Sequence, residues 1–366
     1  MKLYAYFLPQ FHSIPENDAW WGKGFTEWVN VKKAKALYND HRQPKVPLDM
    51  NYYNLLDKET VKWQLYLQEK YHVDGLIYYH YYFKGKLLLE KPAENLLKWK
   101  DIRQPFFFCW ANHSWQRSWE GKSEIIMPLE YGNEADWERH FQYLLPFFRD
   151  DRYEKKDNMP LFCLFKWDFP EKEEMFSYWN RRSKEEGFNG IYFIETYSGE
   201  VEYSAFLNKL SHSTRKVVFR EPSIQTFSFI NSENTIIKKV TRKVLGALRN
   251  RGLYGKPLIY DGTALMSNLI RSSFDVKERI PCIWFEWDNT PRHKQRGYVI
   301  TPYSEAQFLK YMDKIADKDY VFINAWNEWA EGMFLEPSIE NGYKYLEWIK
   351  KWKSGKSSDL TDCEGI

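Results

Sequence analysis

Three carboxylates, Glu328, Glu331 and Glu336, fall within nine residues of one another, interleaved with Trp326 and Trp329. They follow Val321-Phe-Ile-Asn-Ala325, a β-branched and aromatic run that reads as a short buried strand. A core has no use for the polar residues that come next: Asn327, Glu328, Glu331 and, after Gly332, Glu336. Acid–base chemistry on a sugar does. It needs a proton donor and a proton acceptor on one wall, with flat apolar surface for the pyranose faces.

Spacing narrows the reading. In an extended chain the Cα atoms of Glu328 and Glu331 would lie roughly 10 Å apart, too far to serve one bond. On a helical turn, residues at this spacing bring their Cβ atoms to about 5–6 Å. Retaining glycosidases hold their two carboxyl groups roughly 5–5.5 Å apart. The competing reading is an acidic first turn of a following helix, complementing its dipole.

Such a pair needs a scaffold that gathers strand ends. Residues 3–8 read as a first strand stopped at Pro9, followed by a loop with Gln10, His12, Trp20, Trp21, Glu27 and Trp28. Further strands are expected at 75–83, 105–112, 160–165, 190–195, 280–288 and 321–325, with 216–220 or 258–261 as the sixth. Helical periodicity falls at 58–70, 91–99, 135–148, 172–186 and 343–352. Strands alternating with helices imply parallel pairing through crossovers. About eight near-continuous apolar strands predict one closed (β/α)8 TIM-type barrel domain over residues 1–353, with a polar tail at 354–366. An open doubly wound sheet would carry a Gly-rich phosphate loop, and the chain has no G-x-G-x-x-G. Polar residues follow nearly every strand: Gln10 and His12, His80, Asn112 and His113, Glu195, Asp261, Asp288, Glu328 and Glu331. In a barrel those ends share the face on which active sites are built.

Composition points the same way. Of 366 residues, 19% are aromatic, including 17 Trp and 26 Tyr, whose polar atoms favour an aromatic-lined cleft over a core. A net charge of +3 lacks the basic excess of a nucleic-acid binder. Cys109, Cys163, Cys282 and Cys363 form no CxxC pair, which excludes a zinc ribbon or disulfide framework. His and carboxylate residues show no H-x-x-x-H spacing, so neither metal nor cofactor is expected. The N-terminus lacks a signal-peptide cleavage pattern and no run approaches a membrane span. The expected compartment is the cytoplasm, or the periplasm or exterior if a leader has been removed. Residues 235–251 form a basic amphipathic segment with Ile237, Val240, Val244 and Leu248 on one side. It reads as a barrel helix with a solvated basic face, a membrane-surface helix being the rival.

Other candidates carry two readings each. His80 suits a sugar hydroxyl or a satisfied core. Trp110, Trp115 and Trp119, around Asn112 and His113, suit stacking on substrate or packing beneath a loop. Glu195 closes an apolar strand, where a carboxylate is costly without a partner. Glu286 and Asp288 share a strand face, and a structural salt bridge with Arg292 competes with a site role there.

Tyr6-Phe-Leu-Pro-Gln-Phe-His12, Trp21-Gly-Lys-Gly-Phe-Thr-Glu-Trp28, Trp110-Ala-Asn112, Trp287-Asp-Asn-Thr-Pro291 and Asn324-Ala-Trp-Asn-Glu-Trp-Ala-Glu-Gly332 resemble the WbsX family, labelled glycosyltransferase and found in polysaccharide and lipopolysaccharide synthesis. That family is related to the family 99 glycoside hydrolases, endo-α-mannosidases and endo-mannanases with (β/α)8 folds. The likeness to family 99 rests mainly on Asn327-Glu-Trp-x-Glu-Gly332. It implies that Glu328 deprotonates the substrate's own 2-hydroxyl and that Glu331 is the general acid/base at the glycosidic oxygen. Configuration would be retained through a 1,2-anhydro sugar, one of the substrate-assisted exceptions to the nucleophile scheme. Ala330 stands where family 99 has His, and Met333-Phe334 replaces a more polar pair, which bears on mannose specificity.

The expected site thus comprises catalytic Glu328 and Glu331, with Gln10, His12, Trp28, His80, Trp110, Asn112, His113, Trp119, Glu195, Trp287, Asp288, Asn324, Trp326 and Glu336 toward an oligosaccharide or polysaccharide. An endo-acting retaining glycosidase is the leading expectation. A transferase or transglycosylase of surface-polysaccharide synthesis and a non-catalytic carbohydrate-binding barrel are the alternatives.

Overall fold

A computed structural model describes residues 1–116, 124–232, 244–249, 251, 254–272 and 279–361. The apolar runs form nine parallel strands: β1 (Lys2–Phe7), β2 (Gly75–Phe83), β3 (Phe106–Trp110), β4 (Met159–Leu164), β5 (Tyr192–Tyr197), β6 (Thr214–Phe219), β7 (Arg279–Ile280), β8 (Cys282–Trp284) and β9 (Tyr320–Asn324). Their order is β7-β6-β5-β4-β3-β2-β1-β9-β8, a nearly closed parallel barrel of nine strands with helices outside it. β7 pairs with β6 (Val217 to Arg279) and β8 with β9 (Cys282 to Phe322), so the sheet's two ends meet around Pro281. Proline has no N–H to give a ladder, which is why the run expected as one strand at 280–288 is broken there. Its last part, Trp287–Asp288, leaves the barrel and pairs antiparallel with Tyr298–Ile300.

Leu258–Tyr260 pairs with Tyr298–Ile300 as well, in a separate three-stranded sheet. The sixth strand is therefore Thr214–Phe219, and Asp261 caps the helix Gly262–Arg271 through a bond from the Thr263 amide. Helix signals are chemically explicit elsewhere. Asn133 and Asp136 form a capping box at the start of Glu134–Arg149, satisfying amides that the first turn leaves open. The closing helix runs Lys344–Thr361, beyond the expected stop at Trp352. Most of 235–251 lies outside the described residues. Among those described, no helix is long and apolar enough to cross a membrane.

Inside the barrel the rings pack in layers. Tyr4 meets Phe107 edge-on and Phe107 lies 5.6 Å from Phe322; above them Tyr6 stacks on Tyr79 at 5.5 Å. Aromatic contacts of this kind contribute about 0.5–1.5 kcal/mol each beyond burial. They close the barrel floor and leave its C-terminal mouth open.

Candidate active site

The segment after β9 is pinned to β1 by a side chain acting as a peptide group. Asn327 accepts from the Leu8 N–H at 2.7 Å and donates to the Leu8 carbonyl at 3.0 Å, extending the pairing where the strands diverge. Asn327–Glu328 then pairs antiparallel with Met333–Phe334, and a 3-10 turn, Trp329–Glu331, joins them. The turn closes at Gly332, with φ 56°, where an added Cβ would sit 2.9 Å from the Asp288 Cβ and 3.0 Å from its backbone nitrogen. Only glycine suits both demands. Glu328 and Glu331 thus flank one tight turn, neither extended nor on the first turn of a long helix.

A second short segment brings their partner. Asp288 accepts from the Thr290 amide at 3.0 Å and its hydroxyl at 2.6 Å, while His41 and Gln43 bond its other oxygen at 2.8 and 2.6 Å. This starts the turn Thr290–His293 and presents Arg292. The Arg292 guanidinium donates to Glu331 through one terminal nitrogen and to Glu328 through the other, at 3.2 Å. Its Nε donates to Glu27 at 3.0 Å, and Trp287 Nε1 donates to Glu331 at 3.1 Å. Burial works against the charge of Arg292, but Glu27, Glu331 and Glu328 together hold its pKa above the usual arginine value. Glu328 is pushed up by burial and then by the like charge of Glu331, with Arg292 pulling back. Burial also raises Glu27, which is fully enclosed. Arginine's planar fork suits such sharing. Among the described residues no three His, Cys, Asp or Glu side chains are grouped to hold a metal ion.

Both acids face a cavity of about 280 Å³. Gln10, His113, Arg292 and Arg220 supply polar edges, and Trp21, Tyr79, Tyr81, Trp115 and Phe165 supply flat rings. Two carboxyl groups, one with its proton affinity raised, over an aromatic-walled hollow can exchange protons with a bound saccharide.

Of the residues expected from sequence, Gln10, His113, Glu328 and Glu331 line this cavity, and Trp287 holds Glu331. The other described members lie elsewhere. His80 bonds His140 at 2.8 Å on the helix Glu134–Arg149, and burial pushes it down to about 3. Trp110 donates to the Tyr82 carbonyl and packs against the same His140. Glu195 accepts from Lys172 at 2.8 Å, the Ser211 amide and Thr214. These side chains take the outer parity of their strands, because neighbours along a strand point to opposite faces; Tyr79 and Tyr81, either side of His80, take the inner one.

The remaining members are structural in their contacts. Asn112 clamps the Lys166 backbone at 2.7 Å through both amide atoms, and Asn324 donates to the Glu221 carbonyl. Trp28 donates to Tyr53 and packs on Phe11 and Trp329, and His12 is buried. Glu336 is buried and accepts from Trp326, Trp329, Tyr53 and Gln64. Asp288 serves the Arg292 turn. The salt bridge weighed for Glu286 and Asp288 forms with other partners, Lys45 at 3.3 Å and His41 at 2.8 Å, since Arg292 is taken by the acids of the cavity. Trp119 lies outside the described residues. Sequence reasoning missed Arg292, Glu27, Arg220, Tyr79 and Tyr81 as site residues; the signal available for the tyrosines was the alternation around His80.

A family profile described as glycosyltransferase WbsX matches residues 3–349. Among curated proteins, the uncharacterized protein WxcX of Xanthomonas campestris pv. campestris strain B100 is 29% identical over 359 residues, covering 94% of this chain and 48% of the relative. The chain therefore spans about half the length of the curated relatives it matches. Among solved structures, a glycoside hydrolase-like protein superposes with TM-score 0.56 at 12% identity, covering 96% of this chain and 93% of the other. The GH99 endo-alpha-mannosidase from Bacteroides thetaiotaomicron superposes with TM-score 0.54 at 13% identity, covering 96% of each chain. At these identities the structural likeness speaks for the fold.

Proposed function

The chain belongs to the WbsX family, described as glycosyltransferases, and on that premise we propose that it breaks an α-linked, mannose-type glycan with retention of configuration, acting within the chain. The observation that carries the reading is the placement of Glu328 and Glu331 side by side on one wall of an aromatic cavity, bridged by Arg292. In the proposed first step Glu328 takes the proton of the substrate's 2-hydroxyl as O2 attacks C1. The C1–O bond to the leaving sugar breaks, and Glu331 gives its proton to the departing oxygen. In the second step water adds to C1 of the 1,2-anhydro sugar; Glu331 takes the water's proton and Glu328 returns one to O2. An axial 2-hydroxyl lies trans to an α leaving group, so the attack comes from behind. Arg292 neutralises whichever acid is ionised at each stage.

The family description favours a second reading, in which a sugar hydroxyl replaces water in the second step and the protein is a transglycosylase or transferase of surface-polysaccharide synthesis. Digesting polysaccharides without sugar nucleotide, and reading product anomers by NMR, separates these. New α reducing ends support hydrolysis and longer oligosaccharides support transfer. Strict dependence on a sugar nucleotide overturns the proposed mechanism. Saccharide binding with no rate change in Glu328→Gln or Glu331→Gln leaves a binding barrel.

A further inference from the structure

The cavity has two unlike halves. On one, Glu328 and Glu331 are paired with Arg292. On the other, Arg220 lines the cavity with its guanidinium over the Phe165 ring, 4.1 Å from the centroid. Its backbone amide donates to the Tyr197 carbonyl at 2.9 Å, which holds the residue at the end of β6. Among the described residues no carboxylate forms an ion pair with it. Stacking occupies the face of a guanidinium and leaves its N–H edge for a ligand.

His113 adjoins this edge. Its ring lies 5.1 Å from the same Phe165, and among the described residues its buried Nδ1 has no hydrogen-bond partner. Burial, with the nearby Lys166 and Arg220 charges, pushes its pKa down to about 4. The imidazole therefore stays neutral and keeps one N–H to offer. Arg220 is half-buried, and a cation partly withdrawn from water without a direct ion pair gains from a ligand that supplies one. The hydroxyls of a neutral sugar would fill hydrogen bonds but leave that charge standing.

We propose that the Arg220–His113 wall binds an anionic substituent of the sugar, so that the substrate is an acidic glycan bearing a carboxylate or phosphate group. This rests on the glycan-active reading of the same cavity and names its substrate class. Both anions match the guanidinium fork. Glu331 is the carboxylate whose charge favours the Arg220 cation, and Arg292 holds it on the other half.

The test is titration calorimetry on matched oligosaccharide pairs, each acidic member beside its carboxyl-reduced or dephosphorylated form. Wild type, Arg220→Gln and Arg220→Lys are compared, with thermal melting to confirm that each variant folds. Wild type is expected to bind the acidic member at least about tenfold more tightly, the worth of one charge-assisted hydrogen bond. Arg220→Gln should bring the ratio to about twofold or less while neutral binding persists, and Arg220→Lys should keep part of it. Whether uronate or phosphate pairs show the ratio identifies the source of the anion. Equal binding of both members by wild type, or an unchanged ratio in Arg220→Gln, overturns this inference and leaves the glycan reading standing. No binding of any oligosaccharide overturns both.

Discussion

Glu328 and Glu331 share a guanidinium: one terminal nitrogen of Arg292 bonds each, and its Nε turns back to the enclosed Glu27. Two acids that would repel each other across a tight turn are thereby held together without ionising independently. The same arginine is carried by the Asp288 turn, and Gly332 presses the acid-bearing turn against Asp288. The site is assembled from three loop segments that clamp one another.

Glu331→Gln keeps the size of the side chain and removes its proton. Turnover is expected to fall by roughly 10²–10⁴-fold, while oligosaccharide affinity by calorimetry changes little. Hydrolysis at the wild-type rate would remove Glu331 from the mechanism.

The pH dependence distinguishes the roles of the two acids. Burial and the charge of Glu331 push Glu328 up to about 8. As the base, Glu328 works only when ionised, while Glu331 as the acid must keep its proton. The value of kcat/KM should therefore rise with pH through that region before loss of the Glu331 proton turns it down. A rate that falls through the same window would assign Glu328 the acid role. Carboxyl-carbon NMR of Glu331→Gln should show the Glu328 titration moving to lower pH, because the like charge is gone.

Arg292→Met removes the cation that bonds all three acids directly. Removing one partner of a buried ionic cluster costs about 3–5 kcal/mol, readable as a lower urea midpoint. Because part of that loss is relieved by protonation, the variant should recover stability as pH falls. A variant as stable as wild type at neutral pH would show that the cluster is not maintained in solution.

Glu336 anchors the underside of the site. Glu336→Leu would strand two indole N–H groups, a phenol and an amide, at about 1–3 kcal/mol for each group left without a partner. Burial pushes the Glu336 carboxyl up to about 7 against the pull of Trp329, Gln64, Tyr53 and Trp326, and burial likewise pushes Glu221 up to about 7. For acids raised above an unfolded value of about 4.3, the folded state binds more protons. Their contribution to stability is therefore full below that value and is lost as pH rises toward 7. Urea midpoints measured from pH 4 to 8 should decline over that window for wild type, and less steeply for Glu336→Leu.

Much of this was legible in the chain itself. Apolar runs of strand length, separated by helical periodicity, determined parallel pairing and so a barrel, because a run buried on both faces has few other places to go. The Asn327-Glu328-x-x-Glu331-Gly332 spacing marked the two acids as a pair but left a helical turn and the first turn of a longer helix both open. The tight 3-10 turn was decided by the structure. Which face each strand residue takes was decided only in three dimensions. Alternation sets Tyr79 and Tyr81 opposite His80, but both faces of these runs are mostly apolar or aromatic. Nothing in the chain therefore said which parity faced the barrel, and His80 and Glu195 turned outward to partners on the surrounding helices. Arg292 lies 36 residues before Glu328 and Glu27 lies 265 before Arg292. Residues so far apart are brought together only by closure of the sheet around Pro281 and by the small sheet at its mouth, and the charge balance of the site is therefore a property of the tertiary structure.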